Sequence, residues 1–294
     1  MLALGLRVIA AALIATMFMF GKLATESGVN LPEVMFWRQF VTLPMLGGYL
    51  LVTGGLGRLR TARIASHAKR AGMGMTGMFC NFAAVSLLPL AESTTFNFTA
   101  PLFAVLITAL VLRDHVGPWR WTAVAFGFAG VLVITQPGHA HIPPLGAAAG
   151  MASALFNAVI SFQIRDLGRT EEPIRVVFWF ALFGSALMAL FLPFFGQAHD
   201  AHQWFLLVSV GVFGTIAQLF MTAALRFGAV ASVIVMDYTA LIWSTLYGWQ
   251  IWHQLPPATT WLGAPLIVAA GLVIAWREHR FARADKHAGV LDAD

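Results

Sequence analysis

"AVSLLPLAESTTFNFTAPLF", residues 84–103, and "ALRFGAVASVIVMDYTALIW", residues 224–243, align without a gap. Asn97-Phe98-Thr99-Ala100 falls on Asp237-Tyr238-Thr239-Ala240. Both pieces lie in long apolar stretches, yet they carry polar side chains: Ser93, Thr94, Thr95, Asn97 and Thr99 in the first, Asp237 and Thr239 in the second. Weaker matches accompany them. "VMFWRQF" (34–40) meets "VVFWFAL" (176–182), and "GVLVI" (130–134) meets "GLVIA" (271–275). The chain reads as two copies of one unit.

The 294 residues are 59% hydrophobic and 11% charged, against the ~25% charged residues of a typical soluble domain. So few polar side chains cannot coat a water-soluble globule of this size. Apolar runs of about twenty residues recur, each able to cross ~30 Å of hydrocarbon at ~1.5 Å per residue. Open strands would leave backbone groups unpaired in lipid. The fold class is therefore an all-α integral membrane protein. Ten transmembrane helices are expected, near 4–22, 31–54, 70–89, 91–112, 118–136, 145–165, 173–194, 203–225, 228–251 and 258–276. The apolar run after Arg7 is the first of them rather than a signal peptide, because no small-x-small cleavage site follows it. The single Cys80 excludes an internal disulfide.

Charge placement gives an orientation. With the N-terminus inside, every Lys and Arg except Lys22 and Arg38 falls at a cytoplasmic helix end, loop or tail. That is the positive-inside bias, and it puts both termini in the cytoplasm of a multi-pass protein of the cytoplasmic (inner) membrane. It also accounts for the net charge of +5 without nucleic acid.

Two copies of five spans each follow, at 1–138 and 142–277, with a charged tail at 278–294. Five is odd, so the second copy enters the membrane upside down. Inverted repeats are a transporter architecture, with the solute site near the midplane between them. The organisation, together with "LPLAESTTFNFTAPLFAVLITALVLRDHV" (88–116), resembles the EamA family of the drug/metabolite transporter superfamily over nearly the whole chain. In that family this region ends in a Gly-Glu-Arg-like turn. Here it reads Arg113-Asp114-His115, and the second half has His253-Gln254-Leu255 with no acid. The resemblance implies a secondary transporter of small organic solutes. It points to an exporter of amino acids or related metabolites, with an uptake carrier for a vitamin or other metabolite as the alternative.

Polar groups at depth are costly in lipid, so they should face the bundle interior or a wet cavity. Asn97 and Asp237 approach the midplane from opposite faces. The substrate-binding candidates are Asn81, Asn97, Phe98, Asn157, Gln218, Asp237, Tyr238 and Trp243, a few polar groups among aromatic walls. Ser93, Thr94, Thr95 and Thr99 suit close helix packing. Pro101 suits a hinge or a tolerated kink. Asp237 is expected to hold a coupling proton, a solute ammonium or a structural hydrogen bond. No basic residue on an adjacent span matches its depth. Arg38 and Glu92 are the other charges to place. Arg38 would pair with Glu33 or Glu92, or take a substrate carboxylate, and Glu92 suits a helix N-terminus.

The spans carry no HExxH, no Gly-x-Ser-x-Gly and no carboxylate dyad at helical spacing, which argues against an intramembrane enzyme. His139, His141, His199, Asp200 and His202 match no metal-site spacing. Neither a metal nor a cofactor is expected. The expected partners are a small-molecule substrate, the lipid bilayer and protons as a candidate coupling ion.

Overall fold

The structure is a computed structural model that describes residues 2–111, 113, 117–135, 142–227 and 235–291. Among these the regular structure is helical. Asp114, His115, His139 and His141 lie outside the described residues.

The first helix, α1 (Leu2–Glu26), ends before Gly28, whose φ of +94° suits a residue without a Cβ. Helix α2 (Leu31–Phe40) starts with Pro32 and Glu33 in its first turn and passes through Val41 into α3 (Thr42–Val52). Then come α4 (Ile64–Leu87), α5 (Leu90–Asn97), α6 (Ala100–Leu110) and α7 (Pro118–Thr135). The remaining helices are α8 (Pro144–Leu167), α9 (Pro173–Ala189), α10 (Leu192–Phe195), α11 (Ala201–Phe227), α12 (Ala240–Trp252) and α13 (Ala258–Leu291). Proline at the first turn of α8 and α9 takes a position whose N–H would have no helical partner.

Among the described residues five stretches are helical, long and apolar enough to cross a membrane: Leu4–Glu26, Leu90–Leu110, Pro118–Thr135, Pro144–Ile164 and Ala201–Ala224. Two shorter apolar helices, Pro173–Ala189 and Ala258–Ile274, accompany them. Large apolar side chains stand outward, among them Val52, Leu110, Leu145, Phe194 and Leu262. Soluble proteins rarely show such a surface; hydrocarbon accepts it.

Helix α1 packs along α11, and α4 packs along α8. Helix α7 packs along α13, α2 on α9, and α5 on α12. Helix α4 also meets α9, as α11 meets α2. One apolar core holds Met17, Val34, Met75, Phe180 and Leu207; a second holds Leu88, Phe96, Phe98, Ile134 and Ile267. In the glycine-rich stretch 71–77, Gly74 lies against Phe180 and Gly77 against Phe156, the close packing its composition predicts.

Polar contacts gather at the two ends of the bundle. At one end Arg58 pairs with Glu172 and Arg63 with Asp166, while Thr61 donates to Glu171. At the other, His199 meets Glu33, and Gln203 and Gln197 donate to the Ser27 and Gly28 carbonyls.

Candidate functional site

Each of the aligned polar segments leads into the start of a helix. Helix α5 stops at Asn97, and α6 starts at Ala100. A 3-10 turn over Val235–Thr239 precedes α12, which starts at Ala240. Thr99 Oγ1 donates to the Phe96 carbonyl at 2.7 Å, and Thr239 Oγ1 donates to the Met236 carbonyl at 2.6 Å. Each threonine thus serves a carbonyl three residues back, where the backbone tightens out of α geometry. Pro101 lies in the first turn of α6, where its missing N–H leaves nothing unpaired.

Asn97 is the centre of an amide cluster. Its Oδ1 accepts from Asn157 Nδ2 at 2.8 Å, Ser153 Oγ at 3.0 Å and Asn81 Nδ2 at 3.3 Å. Its Nδ2 reaches the Ser93 carbonyl at 3.3 Å and Asn81 Oδ1 at 3.4 Å. Helices α4, α5 and α8 meet there. Amides both donate and accept, so this cluster can trade internal bonds for bonds to a polar solute.

On the α12 side, Asp237 receives two hydrogen bonds from Arg7, through Nε and Nη2. The expectation that no basic residue lies at its depth is corrected: Arg7 is 8% exposed and faces inward from α1. The next residue, Tyr238, packs edge-on against Phe98 with ring centroids 4.9 Å apart. Its hydroxyl lies so close to Gly271 that a Cβ there would overlap it. Thr94 Oγ1 and Ser244 Oγ, 2.6 Å apart, tie α5 to α12. The structure therefore brings Asn81, Asn97 and Asn157 into one cluster, and Phe98 and Tyr238 into one contact. Gln218 and Trp243 are half-buried, and neither hydrogen-bonds to the amide cluster among the described residues.

Arg38 pairs with neither Glu33 nor Glu92, which corrects the ion pair expected for it. Glu33 is held by His199 at 2.6 Å. Glu92 is buried near the start of α5, and its Oε2 has no partner. Arg38 donates to its neighbour Gln39 instead. Lys22, the other cation set apart by charge placement, donates to the Val85 and Leu88 carbonyls at 3.0 and 2.7 Å. It caps the end of α4, where carbonyls lack helical partners. Among the described residues no group of three His, Cys, Asp or Glu could hold a metal ion.

Arg7, Ser153 and Ser244 belong to these contacts and escaped the sequence reading. Arg7 carries a usable signal, an arginine within "LALGLRVIAA" (2–11), although topology alone also accounts for it. The serines carried none, because serine in an apolar helix is ordinary packing.

Residues 1–136 and 144–276 match the EamA-like transporter family. The pseudopaline exporter CntI of Pseudomonas aeruginosa is 28% identical over 264 residues, covering 88% of this chain and 92% of that protein. A riboflavin transporter of Brucella anthropi is 27% identical over 263 residues, with 85% and 89% covered. Another, of Rhizobium johnstonii, is 30% identical over 234 residues, with 77% and 75% covered. A solved crystal structure 24% identical in sequence aligns with a TM-score of 0.64 over 95% of this chain and 98% of its own, a likeness of fold alone.

Proposed function

The chain belongs to the EamA-like transporter family, and on that premise we propose that it exports amino acids or related metabolites across the cytoplasmic membrane. It is a multi-pass membrane transporter for small organic solutes and not an enzyme.

The proposed architecture is ten spans in two inverted five-helix repeats, 1–138 and 142–277, with a cytoplasmic tail at 278–294. Exchanging the halves turns the α1–α11 contact into the α8–α4 contact, and the α4–α9 contact into the α11–α2 contact. The matching hydroxyl-to-carbonyl bonds of Thr99 and Thr239 support the same reading. Inverted repeats with broken helices place a solute site between the halves.

The observation that carries the function is the amide cluster at the broken helix end. In this reading Asn81, Asn97 and Asn157 bond the solute, and Phe98 and Tyr238 form an aromatic wall. Gln218 and Trp243 line its path. Asp237 exchanges its Arg7 partner for a coupling proton or the solute's ammonium group. A relative named as an exporter favours export; relatives named as riboflavin transporters favour the second reading, uptake of a vitamin.

The test is counterflow and efflux in proteoliposomes with a panel of radiolabelled amino acids and riboflavin, with and without a proton gradient. Transport of an amino acid that Asn97→Ala abolishes is the expected result. No transport of any panel member would sink the export reading. Riboflavin as the sole transported solute would establish the second.

A further inference from the structure

Outside the amide cluster lie two buried cations that no carboxylate pairs with among the described residues. Arg38 on α2 is 7% exposed and Arg70 on α4 is 3% exposed. Both lie against one ring, Phe180 of α9. The guanidinium carbon of Arg70 is 4.1 Å from the ring centroid and that of Arg38 is 5.5 Å from it. Arg38 Nη1 donates to Gln39 Oε1, but its Nε has no partner. Arg70 Nε and Nη1 have none.

Among the described residues no carboxylate forms an ion pair with either arginine. Glu33 bonds to His199 instead, and Glu171 to Arg175 and Thr61. Glycines bring backbone close to both guanidiniums. A Cβ on Gly74 would lie 3.5 Å from Arg70 Nη1, and one on Gly214 would lie 3.2 Å from Arg38 Nε.

A buried charge without a counter-ion costs several kcal/mol. A cation over an aromatic ring recovers about 2 kcal/mol at most positions of this kind. Two such cations on one ring also repel each other. Arg38 lies within the span expected at 31–54 and Arg70 at the start of the one expected at 70–89, and an ionisable residue inside a span is functional by default. Guanidinium forks with free N–H groups match one chemistry above others, the planar carboxylate.

We propose that Arg38, Arg70 and Phe180 form an anion site that receives the carboxylate end of a net-anionic organic solute. The two guanidiniums grip the carboxylate, and the Phe180 ring seats the adjoining carbon chain. This rests on the solute-carrier reading above and adds the charge class of the solute.

The experiment follows the melting temperature of the purified full chain in detergent as glutarate, L-glutamate or citrate is added. Glutaramide and L-glutamine, at matched ionic strength, are the counterparts with fewer negative charges. At least one anion should raise the melting temperature where its amide counterpart does not. Arg38→Gln and Arg70→Gln should each weaken that anion by about 10–100-fold, the loss expected for charge-assisted hydrogen bonds. If the Gln variants fail to fold, Arg70→Lys carries the test: it keeps the charge and loses the fork, so affinity should still fall. Equal stabilisation by anion and amide, no shift by any anion, or wild-type affinity in the folded variants overturns the proposal. Proteoliposome counterflow separates the two failures. Transport without an anion shift removes only the anion site, and an anion shift without transport removes only the carrier reading.

Discussion

Arg7 grips the Asp237 carboxylate with two nitrogens across 230 residues of sequence, joining the first helix to the turn that precedes α12. The arginine side chain is 10% exposed and the aspartate 34%. The pair is therefore partly desolvated, and removing one partner strands the other.

A double-mutant cycle measures this. Arg7→Gln and Asp237→Asn should each cost about 1–3 kcal/mol, below the full value for a buried pair because Asp237 is partly solvated. The double variant should cost clearly less than the two singles together. Additive losses in thermal unfolding would show that the contact contributes no coupling.

Asn97 should matter for both fold and transport. Asn97→Ala leaves Asn81, Ser153 and Asn157 without their shared acceptor. Interhelical hydrogen bonds in membranes contribute ~0.6 kcal/mol on average, so a loss of about 1–3 kcal/mol is expected. Asn97→Asp keeps the acceptor but loses the Nδ2 donations to Asn81 and the Ser93 carbonyl and buries a carboxyl, so it should not restore that stability. Wild-type melting and wild-type transport in the Ala variant would remove the cluster from the mechanism.

Gly130 and Gly263 set how closely α7 approaches α13. A Cβ on Gly263 would lie 2.5 Å from the Gly130 carbonyl oxygen, and one on Gly130 would lie 2.8 Å from that of Gly263. Backbone cannot swing aside as a side chain can, so Gly263→Ala should cost about 1–3 kcal/mol through overpacking. Gly5→Ala, which meets nothing within 4 Å, is the control. Equal folded yields from size-exclusion chromatography for both variants would refute the tight crossing.

Acid should loosen the end of the bundle around His67, which lies before the span expected at 70–89. Burial pushes the His67 imidazole below its usual pKa, against the pull of Glu171. Burial acts to raise the Glu171 carboxyl, but hydrogen bonds from Arg175 and Thr61 outweigh it and hold it below the usual range. Both groups therefore bind protons less readily folded than unfolded. Their stabilisation is full above the unfolded pKa values, ~6.5 and ~4.3, and is lost as pH falls through the lowered ones. The melting temperature should drop below about pH 6.5 and less steeply in His67→Gln; Glu171→Gln should flatten the later drop below about pH 4.3. A wild-type melting temperature that rises across the first window contradicts this sign.

The orientation is tested by labelling. In a Cys80→Ala background, Ala62→Cys and Ala198→Cys place thiols at exposed positions near opposite ends of the bundle. An impermeant reagent added to intact cells should label the second and spare the first. The reverse pattern would invert the chain in the membrane.

The all-helical, membrane-type fold class was legible in the sequence, and Asn97 and Asp237 stand out there as polar residues in apolar runs. Twenty-residue apolar runs allow little but helices in lipid, and a polar side chain in such a run is conspicuous. The matching threonine bonds before the starts of α6 and α12 follow from the aligned Thr99 and Thr239. Partners were not legible. In water, apolar periodicity reveals the buried face of a helix, but in lipid the outer face is apolar as well, so rotation about the helix axis leaves little trace in the sequence. Only packing could decide that Arg7 turns inward to Asp237, that Lys22 caps α4, and that Arg38 and Arg70 share the Phe180 ring.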